Sequence, residues 1–314
     1  MKGEVLFLDT VHPMVRKGVD DMGYTCIDGH KLQTEDLGPY LQRVVGIIVR
    51  HRIQLNEALL SQAPSLKWIG RSGVGLDAID TAYCKLKGIM VLNGAGGNAD
   101  AVGEHVIGML LSLLNHLFRA DHQVRQGFWE REANRGLELG SRTLGIIGFG
   151  NTGRALAQKL SGFGTEVLAF DKYRKVDGPY AKEATLNEIQ DACDIISFHV
   201  PFNEETKDYF SSDFLARMQR PFYLVNASRG PVCDLNAIAA GIASNRIIGA
   251  GIDVLPSEPK DEGTLGIEEE SLKALVTSEK VIFSPHIAGW TAESYENLAK
   301  VLVDRIKETT APSH

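Results

Sequence analysis

The chain has 314 residues, 44% hydrophobic and 23% charged. That is globular composition with length for about two domains, which excludes a disordered chain and a disulfide-stapled miniprotein. Its formal charge of −7 at pH 7 and pI near 5.7 argue against nucleic acid or an anionic membrane surface as the main partner, so an anionic substrate would need a local basic pocket.

Apolar runs at Val5–Leu8, Val44–Val49, Trp68–Ile69 and Ile89–Leu92 read as buried strands. The segments Asn56–Gln62 and Asp80–Leu86 between them are amphipathic. This is the rhythm of parallel βα units, whose strands are covered on both faces. A helical stretch follows from Ala101 to about Gln126, with apolar residues at 102, 106, 109, 110, 113, 114 and 117. Its apolar face is wider than one domain needs, so both a subunit interface and a fully buried connector fit it. A second series of strands runs Leu144–Ile147, Val167–Phe170, Ile195–Phe198, Tyr223–Val225, Gly249–Val254 and Val281–Phe283. Helical patterns at Thr152–Ser161, Leu186–Asp191 and Leu235–Ser244 fit between them. Six strands suit a doubly wound dinucleotide domain. A final helix, Ala292–Lys307, is expected to return to the first domain, which would then be discontinuous.

The N-terminus lacks the apolar stretch and cleavage site of a signal peptide. The longest apolar region, Val106 to Phe118, is too short to span a bilayer. Cysteines at 26, 84, 193 and 233 form no CxxC pair and have no zinc-type histidine spacing. The expectation is a cytoplasmic protein with reduced thiols, no metal and no membrane partner.

The strand ending at Ile147 leads into Gly148-Phe149-Gly150-Asn151-Thr152-Gly153 and then a helix. Gly148 permits a tight turn, Gly150 lets backbone approach a pyrophosphate, and Gly153 allows close strand–helix packing, with the helix N-terminus favouring the anion. The next strand ends at Asp171, whose carboxylate suits a ribose diol and repels the extra phosphate of NADP. NAD is the expected cofactor, although Lys172, Arg174 and Lys175 leave some NADP tolerance open.

Three later strand ends carry Arg229, Glu258 and His286. Ligands of open α/β sheets lie at such ends. A guanidinium holds a carboxylate bidentately, and a histidine beside a glutamate is suited to proton transfer.

GFGNTG with Asp171, NASRG (226–230), DVLPSEP (253–259) and SPHIAG (284–289), together with RSGVGLDAID (71–80) and NADAVGEH (98–105), resemble the motifs of D-isomer-specific 2-hydroxyacid dehydrogenases over essentially the whole chain. The resemblance implies two doubly wound α/β domains, a Rossmann NAD-binding domain at 99–288 inserted into a flavodoxin-like substrate-binding domain at 1–98 and 289–314. It implies a homodimer that interconverts a D-2-hydroxy acid and its 2-oxo acid. His286 would transfer the proton, Glu258 hold and tune it, and Arg229 bind the substrate carboxylate. Cofactor contacts are implied at Gly148, Phe149, Gly150, Asn151, Thr152, Gly153, Asp171, Val200, Pro201, Thr206, Ala227, Ser228, Asp253, Ala288, Gly289 and Val102. Backbone groups at Ser72, Gly73 and Val74 would hold the substrate carboxylate. His105 and His199 are expected to be structural.

Within the family, IIVR (47–50) and WIGRSGVG (68–75) look most similar to D-3-phosphoglycerate dehydrogenases, whose place is in serine biosynthesis. There Arg50, Arg71 and Asn98 would help hold substrate, and Arg131 of Phe128-Trp129-Glu130-Arg131 would reach a neighbouring subunit's site. His51 and Ile53 depart from that subgroup's serine and threonine. The chain ends at 314, so the regulatory domain of longer members is not expected. Glyoxylate/hydroxypyruvate reductases and D-lactate dehydrogenases stay open. Formate dehydrogenases carry glutamine at the position of Glu258, and NAD-sensing corepressors keep the catalytic residues without using them mainly for turnover.

Overall fold

The computed structural model describes residues 2–259 and 263–311. The chain divides into two compact units, Met1–Ala99 with Thr291–His314 and Asp100–Trp290. The tail 312–314 of the expected first domain lies outside the described residues.

In the first unit the order is β1 (Glu4–Phe7), α1 (Pro13–Asp21), β2 (Thr25–Asp28), α2 (Gly38–Leu41), β3 (Val44–Val49), α3 (Glu57–Leu60), β4 (Trp68–Arg71), α4 (Thr81–Lys87) and β5 (Met90–Asn93). All five strands are parallel, in the order β2-β1-β3-β4-β5. Strand order reverses between β1 and β3, so the carboxyl ends of these two strands flank the unit's natural ligand crevice. One face packs Leu6, Ile47, Val49 and Ile69 against Leu41, Leu59 and Cys84. The other packs Val5, Ile48 and Trp68 against α1 and Ala299, Leu302 and Ile306 of the C-terminal helix. Sequence patterning misses α1 and β2. Strand β2 sits at the sheet edge with no fully buried residue, so no apolar run announces it.

The second unit continues with α5 (Ala99–Leu114), α6 (Leu117–Arg125), β6 (Thr143–Ile147), α7 (Asn151–Leu160), β7 (Glu166–Phe170), β8 (Lys182–Glu183), α8 (Leu186–Ala192), β9 (Ile195–Phe198), α9 (Ser212–Arg217), β10 (Phe222–Asn226), α10 (Leu235–Ala243), β11 (Ile247–Ile252), α11 (Glu270–Val276) and β12 (Val281–Phe283). Its parallel sheet has the order β12-β11-β10-β9-β6-β7-β8, the doubly wound arrangement with one strand added, and the order reverses between β6 and β9. Among the described residues this sheet has seven strands, not six. The extra one, β8, is a two-residue exposed Lys-Glu edge that carries no hydrophobic signal.

The stretch 101–126 is not one helix. It breaks at Asn115–His116, where His116 is left-handed (φ 53°), and α5 and α6 are bent by 58°. Helix α5 is buried along most of its length, whereas α6 has no buried residue. Among the described residues no single helix is long and apolar enough to cross a membrane. The last helix, α12 (Ala292–Thr310), starts where the Thr291 side chain accepts the Ser294 backbone N–H, a capping contact.

Candidate active site

At the reversal point of the second sheet the three glycines of the turn after β6 have different reasons to be glycine. Gly148 has φ +96°, and a Cβ there would stand 2.6 Å from the His199 carbonyl oxygen. A Cβ at Gly153 would stand 2.3 Å from the Gly148 carbonyl oxygen. The chain itself forbids side chains at both. At Gly150 the nearest atom would be the Arg174 guanidinium tip at 3.5 Å, so the protein tolerates a side chain there. The open space above Gly150 is what a dinucleotide diphosphate requires at the N-terminus of α7. The residues present therefore fit the group.

Phe149 is buried beneath the Arg154 guanidinium, 4.7 Å from its ring centre. Asn151 and Thr152 open α7. Asp171, expected to meet a ribose, also holds backbone. One of its oxygens accepts the Phe149 N–H (2.8 Å) and the other the Tyr173 and Arg174 N–H groups (2.9 and 3.0 Å). It thus pins the glycine turn to the end of β7. A carboxylate has about four lone-pair sites, so capacity remains for ribose hydroxyls.

The other implied cofactor residues are spread around this sheet end. Val200 overhangs Gly148. The Thr206 hydroxyl donates to the exposed Pro201 carbonyl (2.6 Å) and accepts the Asn203 N–H (2.9 Å), closing the turn after β9. Ser228 is buried and donates to Asn226 Oδ1 (2.8 Å). Ala227 and Gly289 are half-buried. Val102 and Ala288 lie inside the unit's apolar core.

Arg229, Glu258 and His286 gather at the carboxyl ends of β10, β11 and β12. His286 Nδ1 and Glu258 Oε2 are 2.7 Å apart. Glu258 Oε1 accepts the Leu255 N–H (2.9 Å). Partial burial raises the Glu258 pKa, but the His286 hydrogen bond and charge, the Leu255 N–H and Arg229 outweigh it and hold the carboxyl below the usual range. An ionised carboxylate only accepts, so Nδ1 carries a proton and Nε2 is left as the exchanging position. The Arg229 guanidinium donates to the Ser228 carbonyl (2.7 Å), and Asn226 donates to the Arg229 carbonyl (3.0 Å). A Cβ at Gly230 would stand 2.0 Å from the Leu255 carbonyl carbon, so that glycine lets the Arg229 and Glu258 loops touch.

His286 is left-handed (φ 55°), a conformation costing a non-glycine residue on the order of 1–2 kcal/mol. Asp253 maintains it. Its carboxylate is buried and accepts the Ser284 hydroxyl (2.6 Å) and the Ile287 and Ala288 N–H groups (2.9 and 3.0 Å). Its carbonyl accepts the His286 N–H (2.7 Å). Since the Ser284 proton goes to Asp253, His105 Nε2, 2.9 Å from the Ser284 oxygen, donates to it. The family resemblance implies a cofactor contact for Asp253, and this bracing is not visible in the sequence because its partners lie more than thirty residues away.

In the first unit, Arg50 and Arg71 stand at the ends of β3 and β4, and Asn98 is half-buried in the turn into α5. The Arg50 N–H donates to buried Asp9 (2.6 Å) across the reversal point. Arg71 lies against Gly73 (φ +145°) and donates to the Ser72 carbonyl (3.3 Å). The Val74 carbonyl accepts the Asn93 side chain (2.7 Å). Arg52 spends its guanidinium on the Leu8, Gly29 and Leu32 carbonyls. His51 is exposed, and Ile53 is a core residue.

Residues 107–288 match the pattern of the D-isomer specific 2-hydroxyacid dehydrogenase NAD binding domain. The chain is 31% identical to a hydroxypyruvate reductase of Thermotoga maritima over 280 residues, 89% of each protein. It is 30% identical over 311 residues to the D-3-phosphoglycerate dehydrogenase of Homo sapiens, covering 97% of this chain but spanning only 56% of that protein's length. Among solved structures, the D-lactate dehydrogenase of Aquifex aeolicus, complexed with NAD and lactic acid, matches with a TM-score of 0.80 and 29% identity, over 98% of this chain and 95% of that one.

Proposed function

Because the chain belongs to the D-isomer specific 2-hydroxyacid dehydrogenase family, an NAD-dependent oxidoreductase family, we propose that His286, Glu258 and Arg229 carry its turnover. NAD, when bound, supplies the hydride acceptor. Arg229 holds the substrate carboxylate as a two-donor fork. His286 Nε2 takes the hydroxyl proton during oxidation and returns it during reduction. Glu258 stabilises the imidazolium formed in between. The observation that carries this reading is the 2.7 Å His286–Glu258 contact on a loop braced by Asp253. His286→Ala should lower kcat by 10²- to 10⁴-fold and leave the NADH Kd within about twofold of wild type. Undiminished turnover would overturn the assignment.

For the substrate we propose D-3-phosphoglycerate and 3-phosphohydroxypyruvate, with Ser72–Val74 and Asn98 on the carboxylate side and Arg50, Arg71 and exposed His51 on the phosphate. That would put the enzyme at the head of serine biosynthesis. A second reading, glyoxylate/hydroxypyruvate reduction, is favoured by two facts: the Arg52 guanidinium is spent on backbone carbonyls, which leaves one cation fewer for a dianion, and Ile53 is packed in the core and offers no hydroxyl to a phosphate. NADH oxidation with 3-phosphohydroxypyruvate beside hydroxypyruvate, glyoxylate and pyruvate separates the two. The phosphate reading expects kcat/KM for the phosphorylated compound to fall at least tenfold in Arg71→Ala. Equal rates on all four would refute it.

We further propose a homodimer. Leu117, Phe118, Val124, Phe128 and Trp129 leave large apolar surfaces exposed along α6 and the segment after it, which suits a second copy of the chain. A cytoplasmic setting accords with four cysteines that are all free thiols.

A further inference from the structure

Two polar side chains under the glycine turn have no role in the chemistry above. His199 follows β9 directly and is buried. Its Nε2 lies 2.8 Å from the Ser197 hydroxyl and its Nδ1 3.1 Å from the Thr152 hydroxyl. Ser197 is fully buried (0% exposed), whereas Thr152 is half-exposed at the second residue of α7, next to Gly150 and Asn151.

A neutral imidazole has one donor nitrogen and one acceptor nitrogen, so the chain of three groups has two possible proton orders. If Thr152 donates to Nδ1, Nε2–H donates to Ser197, and the Ser197 proton is sealed in without an acceptor among the described residues. That costs on the order of 1–3 kcal/mol. If Ser197 donates to Nε2, then Nδ1–H donates to Thr152, and every buried group is satisfied. The second order wins. Burial also lowers the His199 pKa to about 4, so the imidazole keeps both roles at neutral pH.

We infer that Ser197 and His199 are positioning residues that orient the Thr152 hydroxyl, so that its own proton is presented to the diphosphate of NAD above Gly150. The backbone N–H groups of the helix N-terminus bind such an anion in any case. The relay adds a side-chain donor that is already aligned, with no rotamer search when the nucleotide arrives. This rests on the reading that the glycine turn seats the diphosphate.

The test uses NADH, ADP-ribose and adenosine, with Kd measured by fluorescence or calorimetry on the full chain. Thr152→Val keeps the side-chain shape and should raise the Kd of NADH and ADP-ribose about tenfold without changing that of adenosine. Ser197→Ala frees the imidazole to reverse and should weaken the same two ligands several-fold. In a Thr152→Val background it should add nothing. Nitrogen-15 spectra of the wild-type histidines should show the Nδ1–H tautomer for His199. An Nε2–H tautomer, an unchanged NADH Kd in Thr152→Val, or additive losses in the double variant would each overturn the relay. A fall in adenosine affinity equal to that for ADP-ribose would show that the variants disturb the whole turn, and would overturn it too. Wild-type protein binding adenosine as tightly as ADP-ribose would overturn the seating of the diphosphate, and the relay with it.

Discussion

The glycines of the turn after β6 separate folding from binding at single residues. Adding one methyl at Gly153 drives it into the Gly148 carbonyl, which should cost stability by about 1–3 kcal/mol. Adding the same methyl at Gly150 meets only a movable arginine tip. Gly150→Ala should keep the wild-type melting temperature and lose NADH affinity by tenfold or more, checked by thermal melting beside nucleotide titration. Loss of stability at Gly150, or normal binding, would put the nucleotide elsewhere. His199 gives a pH signature of its own. An unfolded histidine titrates near about 6.5, whereas burial holds the folded His199 at about 4. Between these values only the unfolded chain binds the proton, so stability falls as pH drops through that window, by about 3 kcal/mol in all. His199→Gln should be less stable at pH 7 and flatten this acid limb in urea unfolding at pH 7 and pH 5. An equal pH slope would assign the limb to other groups.

Between neighbouring elements, how legible the fold is follows from where each signal resides. Strands β3, β6, β9 and β10 are covered on both faces and read as apolar runs. Strands β2 and β8 close sheet edges and do not. The break between α5 and α6 hides for a similar reason: Asn115 and His116 are polar but helix-compatible, and only the left-handed His116 ends the helix. The glycine turn and the three charged strand ends were readable because each is contiguous in sequence. The backbone-bracing contacts of Asp171 and Asp253, and the left-handed His286, were not, because they depend on what folding brings opposite them. Helix α12 shows the same dependence. Arg305 donates to the Asn93 carbonyl (2.9 Å), the Asn93 side chain (2.6 Å) and the Ala95 carbonyl (3.1 Å), and Asn93 in turn holds Val74. The C-terminal helix therefore tethers the turn proposed to receive the substrate carboxylate. Arg305→Ala should destabilise by about 2 kcal/mol and raise the substrate KM while sparing the NADH Kd. A KM unchanged beside a lowered melting temperature would limit Arg305 to packing.

For the whole molecule, charge and apolar surface pull in opposite directions. Each chain carries −7, so two chains repel one another at low ionic strength. Along α6 and after it, Phe118 is 63% and Trp129 78% exposed. Covering such side chains yields roughly 25 cal/mol per Å² of apolar surface, and a stable pair typically buries about 1,600 Å² in total. If the second copy sits on this surface, sedimentation should report twice the 34.3 kDa chain mass, and Phe118→Ser with Trp129→Ser should shift it to the single chain. The salt dependence then identifies what holds the pair. Apolar contact opposed by like charge tightens as salt screens the repulsion, whereas contact held by ion pairs loosens. The expected result is a dimer whose dissociation constant falls between low salt and about 0.15 M. A wild-type chain that sediments as a monomer at both would refute the second-copy reading.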